Sequence, residues 1–187
     1  RRERSRDDGD HLSVVGAAAA LAALALVRRA LPPPSLSFAW WPVLLAAGPG
    51  AAWIGWAGDG GSGLALELAR LSPAARWSWI AVRVAGSCLV IPLVEELAFR
   101  GFLLPWLASP DFERASPRAW TWPAVLLSSA AFGALHRQWL PGTVAGLAFA
   151  AAKLGRGRLG DAVLAHALCN AGIAAAVLLR GRWDLWS

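Results

Sequence analysis

The chain has 187 residues, 57% hydrophobic and 16% charged, with a mean hydropathy of +0.47. A soluble domain is about 45–50% apolar and about 25% charged, so an ordinary cytosolic enzyme is excluded, as is disorder, which needs low hydrophobicity and high charge. The net charge of +6 comes from scattered arginines, not from a basic block interleaved with aromatics, so no nucleic-acid partner is expected. The length suits one domain with an appendage. Cys88 and Cys169 both lie in apolar stretches, which indicates no disulfide framework. Met is absent and the chain opens Arg1-Arg2-Glu3-Arg4, which reads as a piece of a longer product.

In chain order, Arg1 to His11 is polar and reads as a solvated tail or linker. The apolar stretches that follow approach the roughly 17–25 residues a membrane helix needs. A first span is expected over Leu12–Val27, closed by Arg28 and Arg29; it is no signal peptide, because no small-residue cleavage site follows. Pro32-Pro33-Pro34 makes a stiff loop. A second span is expected over Phe38–Ala57, kinked at Gly48-Pro49-Gly50, and then a flexible Asp59–Gly63 connection. Leu64–Leu71 suits a short interfacial helix with Glu67 and Arg70 on one face.

The third apolar region, Trp77–Leu107, is punctuated by Pro92 and Pro105. Further spans are expected over Trp120–Trp139, Pro141–Leu154 (short, and partly re-entrant) and Leu159–Leu179. Gly142 and Gly146, four apart, allow close helix packing in lipid. Trp77, Trp79, Trp120, Trp122, Trp139, Trp183 and Trp186 gather at segment ends as an interfacial belt would. Basic residues divide almost evenly between the two sides, so the positive-inside rule sets no orientation. The expected fold is all-α: a polytopic transmembrane helical bundle of about six spans with an intramembrane polar cavity. Residues 1–11 would be the tail, 12–76 accessory helices and an interfacial segment, 77–179 the functional core and 180–187 a C-terminal tail.

The informative residues are the polar ones inside apolar spans. A charge at mid-membrane costs roughly 2.5–3.5 kcal/mol on insertion scales, and such groups are usually functional. Arg83, Glu95, Glu96 and Arg100 lie in the third region, His136 in the fourth, His166 and Asn170 in the sixth. Glu96 and Arg100 are four apart and can pair on one helix face. Glu95, rotated by about 100°, is left without a dedicated partner and suits general-base duty. Phe132 and His136, and likewise His166 and Asn170, are each four apart. Each pattern alone also reads blandly: a headgroup-anchoring charge cluster, an interfacial His, an interhelical hydrogen bond. Together they form a chemical inventory. A carboxylate and a His activate water, a second His and an Asn donate to an oxyanion, and an Arg holds the glutamates. No serine nucleophile elbow and no His-Glu-x-x-His zinc motif is present.

At these residues the sequence resembles the CPBP intramembrane protease family, also called the Abi or type II CAAX prenyl endopeptidase family. The family pattern Glu-Glu-x-x-x-Arg, Phe-x-x-x-His, His-x-x-x-Asn is met by Glu95-Glu96 with Arg100, Phe132 with His136, and His166 with Asn170. The likeness covers about Trp77 to Leu179. Ile91–Leu103 and the tail Gly181–Trp186 are further similar to the CAAX protease-related proteins of bacterial exosortase systems, some of which fuse both activities in one chain. The resemblance implies a helical bundle in the bacterial cytoplasmic membrane and peptide-bond hydrolysis near the bilayer. Its partners would be membrane lipid, a peptide or protein substrate, and an exosortase as partner or fusion. It implies that Glu95 with His136 activates water, that His166 with Asn170 forms the oxyanion hole, and that Glu96 and Arg100 assist. It implies no cofactor; the mechanistic alternative is zinc held by Glu95, His136 and His166. Two other classes stand beside the protease. One is a non-catalytic peptide-binding, immunity or scaffold protein. The other is a polar-lined transporter, for which no inverted repeat is found.

Overall fold

The computed structural model describes residues 40–56 and 63–186. All of them belong to the compact unit Ser35–Ser187. The expected polar tail, the first span Leu12–Val27 and the Pro32-Pro33-Pro34 loop lie outside the described residues.

The described residues form six α-helices and no strand. They are α1 (Trp41–Trp56), α2 (Gly63–Ala69), α3 (Pro73–Ala108), α4 (Trp122–Ala134), α5 (Trp139–Arg156) and α6 (Leu159–Arg180), followed by a 3₁₀ turn, Trp183–Trp186. Their ends follow from local chemistry. Ser72 caps α3, its hydroxyl accepting from the Ala75 N–H at 3.3 Å, and Pro73 occupies the first helical position, where no N–H is needed. Thr121 caps α4 the same way through the Ala124 N–H at 3.2 Å. Gly157 (φ 68°) and Gly181 (φ 67°) end α5 and α6 in the left-handed conformation that a side chain would strain.

Three expectations change in detail. Pro92 and Pro105 do not interrupt the third region, which stays helical across both. It widens into π turns at Gly86–Val90 and Leu97–Leu103, and each proline starts the α-helical stretch after one. The fifth region is one continuous 18-residue helix. The fourth ends at Ala134 and not at Trp139, because Leu135 and His136 turn their N–H groups back onto the Phe132 and Gly133 carbonyls.

Helix α4 packs along α5, while α1 packs on both α5 and α6. The α4–α5 contact is close because its residues are small: a Cβ on Gly142 would lie 3.0 Å from the Gly133 Cα, and one on Gly146 3.0 Å from Ser129. Ala46, Phe132, Ala145, Phe149, Ala162 and Cys169 from four helices share one core.

Polarity runs inside out. Glu96 and Arg100 are 0% exposed, whereas Leu179 is 84% and Val82 69% exposed. Large exposed apolar side chains on a soluble protein would be a liability; against lipid they are solvated. Two helices, α3 and α6, are long and apolar enough to cross a bilayer.

Candidate functional site

The site is centred on the second wide turn of α3. Glu95 and Glu96 end the α-helical stretch Ile91–Glu96, and Arg100 falls inside the π turn that follows. There the Leu104 N–H reaches five residues back to the Phe99 carbonyl. Wide turns of this kind recur at functional positions because they re-aim side chains.

Arg100 is fully buried, and both of its terminal nitrogens are engaged while Nε has no partner. Its Nη1 donates to Glu96 Oε1 at 3.1 Å and its Nη2 to the Gly146 carbonyl of α5 at 2.8 Å. The guanidinium lies 4.4 Å from the Phe132 ring centroid, with Phe99 and Phe149 at 5.7 and 5.6 Å. A buried ion pair is tolerable only with such added hydrogen bonds and ring contacts.

The same carboxylate oxygen takes a second donor. His166 Nδ1–H donates to Glu96 Oε1 at 2.9 Å, and the His166 ring stacks on Phe149 at 4.6 Å and 15°. His166 Nε2 faces Glu95 Oε2 at 3.9 Å, too long for a direct hydrogen bond. The Oε2 atoms of Glu95 and Glu96 are both buried without a hydrogen-bond partner. The two neighbouring glutamates differ in their other oxygen: Glu96 Oε1 is committed to Arg100 and His166, while Glu95 accepts no hydrogen bond from the described residues.

His136 does not lie within α4 but in the turn after it. Its Nδ1–H donates to the Phe132 carbonyl at 2.8 Å, which leaves the Nε2 lone pair free. Its ring tilts over Phe132 at 4.7 Å. Phe132 also meets His166 edge-on at 5.6 Å, so one phenyl ring touches both histidines and Arg100. Glu95 is within electrostatic reach of His166 and His136. Asn170, one turn beyond His166 on α6, donates its Nδ2 to the Ser87 carbonyl in the first wide turn of α3 at 2.7 Å.

The structure thus joins Glu96, Arg100 and His166 by hydrogen bonds, places Glu95 Oε2 at 3.9 Å from His166 Nε2, and brings His136 to the group through Phe132. Asn170 is tied to α3 rather than to another member of the set. Three participants had no signal in the sequence beyond their composition: the Gly146 and Ser87 carbonyls, which any residue could offer, and Trp53 of α1, whose ring meets that of His136 at 5.3 Å and 83°. Among the described residues, no three His, Cys, Asp or Glu side chains are grouped so as to hold a metal ion.

Residues 77–172 match the protein family described as type II CAAX prenyl endopeptidase Rce1-like. The match includes all six of the residues above that carry polar site chemistry and excludes Trp53. No curated protein and no solved structure matches the chain.

Proposed function

Because the chain belongs to the type II CAAX prenyl endopeptidase Rce1-like family, we propose that it is an intramembrane endopeptidase in which Glu95 and His136 activate water against a peptide bond of a membrane-associated substrate. The observation that carries this reading is the unequal state of the two glutamates. Glu96 Oε1 accepts from both Arg100 and His166, whereas Glu95 accepts no hydrogen bond from the described residues and so has lone pairs left to take a proton from water.

In the proposed reaction a water held by Glu95 and the His136 Nε2 lone pair attacks the carbonyl carbon. The proton leaves water for this pair and is returned to the departing amine as the C–N bond breaks. The negative charge on the carbonyl oxygen is met by His166 and Asn170. Since His166 already donates Nδ1–H to Glu96, only its imidazolium form offers an Nε2–H to the oxyanion. Asn170 spends one amide hydrogen on Ser87 and keeps the other for this use. Arg100 and Glu96 hold His166 in place. The scheme needs no metal, since proton removal and oxyanion stabilisation are both supplied by side chains.

The resemblance of Ile91–Leu103 and Gly181–Trp186 to exosortase-associated proteins supports a finer reading, with a bacterial cytoplasmic-membrane location, an exosortase partner or fusion, and a sorted surface protein as substrate. The test of the main reading is a farnesylated peptide ending in a CAAX sequence, incubated in lipid nanodiscs with the wild type and with Glu95→Gln. We expect cleavage by the wild type, and binding without cleavage by the variant. Cleavage retained in Glu95→Gln refutes the assigned base. Binding without cleavage by both proteins favours a peptide-binding or scaffold role.

A further inference from the structure

His136 is the member of the site least constrained by its own backbone. Glu96, Arg100, His166 and Asn170 are on continuous helices, whereas His136 follows the last residue of α4, its N–H bonded to the Gly133 carbonyl at 2.9 Å. A hydrogen bond from Nδ1 to the Phe132 carbonyl fixes one atom of the ring. One such bond leaves the ring free to swing about it, and Nε2 would sweep with it. The ring plane needs neighbours.

It has two. Phe132 lies tilted at 40° with centroids 4.7 Å apart, and Trp53 approaches at 83° with centroids 5.3 Å apart. The second is the near-perpendicular, edge-to-face arrangement that aromatic quadrupoles prefer. Trp53 is itself held, since it packs on the core cluster that contains Ala46, Phe132 and Phe149. It comes from α1, outside the stretch matched by the family.

We infer that Trp53 is a positioning residue for the catalytic step: with Phe132 it clamps the His136 imidazole so that Nε2 points at the attacking water. The inference builds on the proposed hydrolysis. It makes α1 part of the working site and not only a neighbouring helix. Misplacing a catalytic group by about 1 Å can cost about 10²-fold in rate, so a ring contact of modest strength has a large lever on turnover.

The experiment uses the full chain in nanodiscs, with Trp53→Leu removing the ring while keeping apolar bulk and Trp53→Phe keeping an aromatic edge. Two readouts are taken. The first is cleavage of the farnesylated CAAX peptide, split into kcat and KM. The second is the imidazole nitrogen spectrum of ¹⁵N-histidine-labelled protein, which has only three histidines to resolve. We expect Trp53→Leu to lower kcat by about 10- to 100-fold with little change in KM, and Trp53→Phe to recover most of it. In the wild type the His136 nitrogens should report a hydrogen fixed on Nδ1. In Trp53→Leu they should move towards the average of the two tautomers, with the His166 signals unmoved. Unchanged kcat and unchanged His136 signals in Trp53→Leu would show that Trp53 only fills space. A change in KM alone would make it a substrate contact, and equal disturbance of His166 a general loosening; each overturns the inference. If the wild type cleaves nothing, the proposed function falls, while the nitrogen spectra still decide whether Trp53 orders His136.

Discussion

Gly146→Ala places one methyl group where two demands meet. The new Cβ would lie 3.0 Å from the Cα, Cβ and carbonyl oxygen of Ser129. Comfortable carbon contacts begin at about 3.5 Å, so α4 and α5 must part by roughly 0.5 Å. Backbone atoms on the facing helix cannot rotate away as a flexible side-chain tip could. Overpacking of this kind costs about 1–3 kcal/mol. The shift also moves the Gly146 carbonyl, which receives Arg100 Nη2 at 2.8 Å; Arg100 in turn holds Glu96, and Glu96 holds His166. At about 2–4 °C per kcal/mol for a chain of this size, the midpoint of thermal unfolding should fall by about 2–12 °C. Cleavage should fall by about 10-fold or more, because His166 is displaced through the chain of bonds. The assay is thermal unfolding followed by thiol exposure of the buried Cys169, with peptide cleavage on the same preparation. Gly172→Ala is the control: nothing lies within 4 Å of its added Cβ, so it should be neutral or slightly stabilising. A Gly146→Ala protein that melts and cleaves like the wild type would refute the argument that this close approach sets the site.

Arg100→Ala leaves Glu96 buried without its cation, a change worth about 3–5 kcal/mol; yield and melting temperature should drop together, and unchanged values would show that the pair is dispensable. Asn170→Ala should slow cleavage by about 10²–10³-fold, less than Glu95→Gln if water activation is the harder task, as measured with the farnesylated peptide. Strong chelators should leave turnover intact, and loss of turnover restored by zinc would refute the metal-free scheme. Beyond the spans, Arg182 hydrogen-bonds to Asp184 through two bonds of 2.9 Å and holds its carboxyl below the usual carboxylate range. A carboxyl whose folded pKa is depressed stabilises the fold above its ordinary value of about 3.9 and loses that contribution as pH falls through the lowered value. The stability difference between wild type and Asp184→Asn should therefore be present at neutral pH and shrink in acid; a gap constant with pH would refute the linkage.

Local spacing made much of the candidate site legible. Glu96 and Arg100, four apart, meet along one helix, and His136 meets Phe132 four residues before it although it has already left α4. What spacing could not show is where each group turns for its second partner. His166 and Glu96 are 70 residues apart, Asn170 and Ser87 are 83 apart, and Arg100 and Gly146 are 46 apart. Two of these three bonds end on backbone carbonyls, which carry no residue signature at all. The sequence grouped His166 with Asn170 because they share a helix face; their observed hydrogen bonds go to different parts of α3. The fold was readable where apolar runs were long, as in α3 and α6. Its helix ends were less so, because the α4 boundary depends on how closely α5 lies against Gly133, a tertiary fact.

The wide turns of α3 carry a consequence for the chain's evolution. Each closes its hydrogen-bonded ring over five residues instead of four, as though one residue had been inserted into a regular helix. Removing one residue from Gly86–Val90 would restore the ordinary winding and leave the helix on either side in phase, because the wide turn absorbs the extra residue locally, but it would undo the widening that aims the Ser87 carbonyl. The Ser87 carbonyl would then swing away from Asn170 even though every named site residue survived. Relatives of this chain should therefore tolerate many substitutions along this segment, whereas one that lacks a single residue there would keep its helix in phase and lose the turn that presents this carbonyl to Asn170.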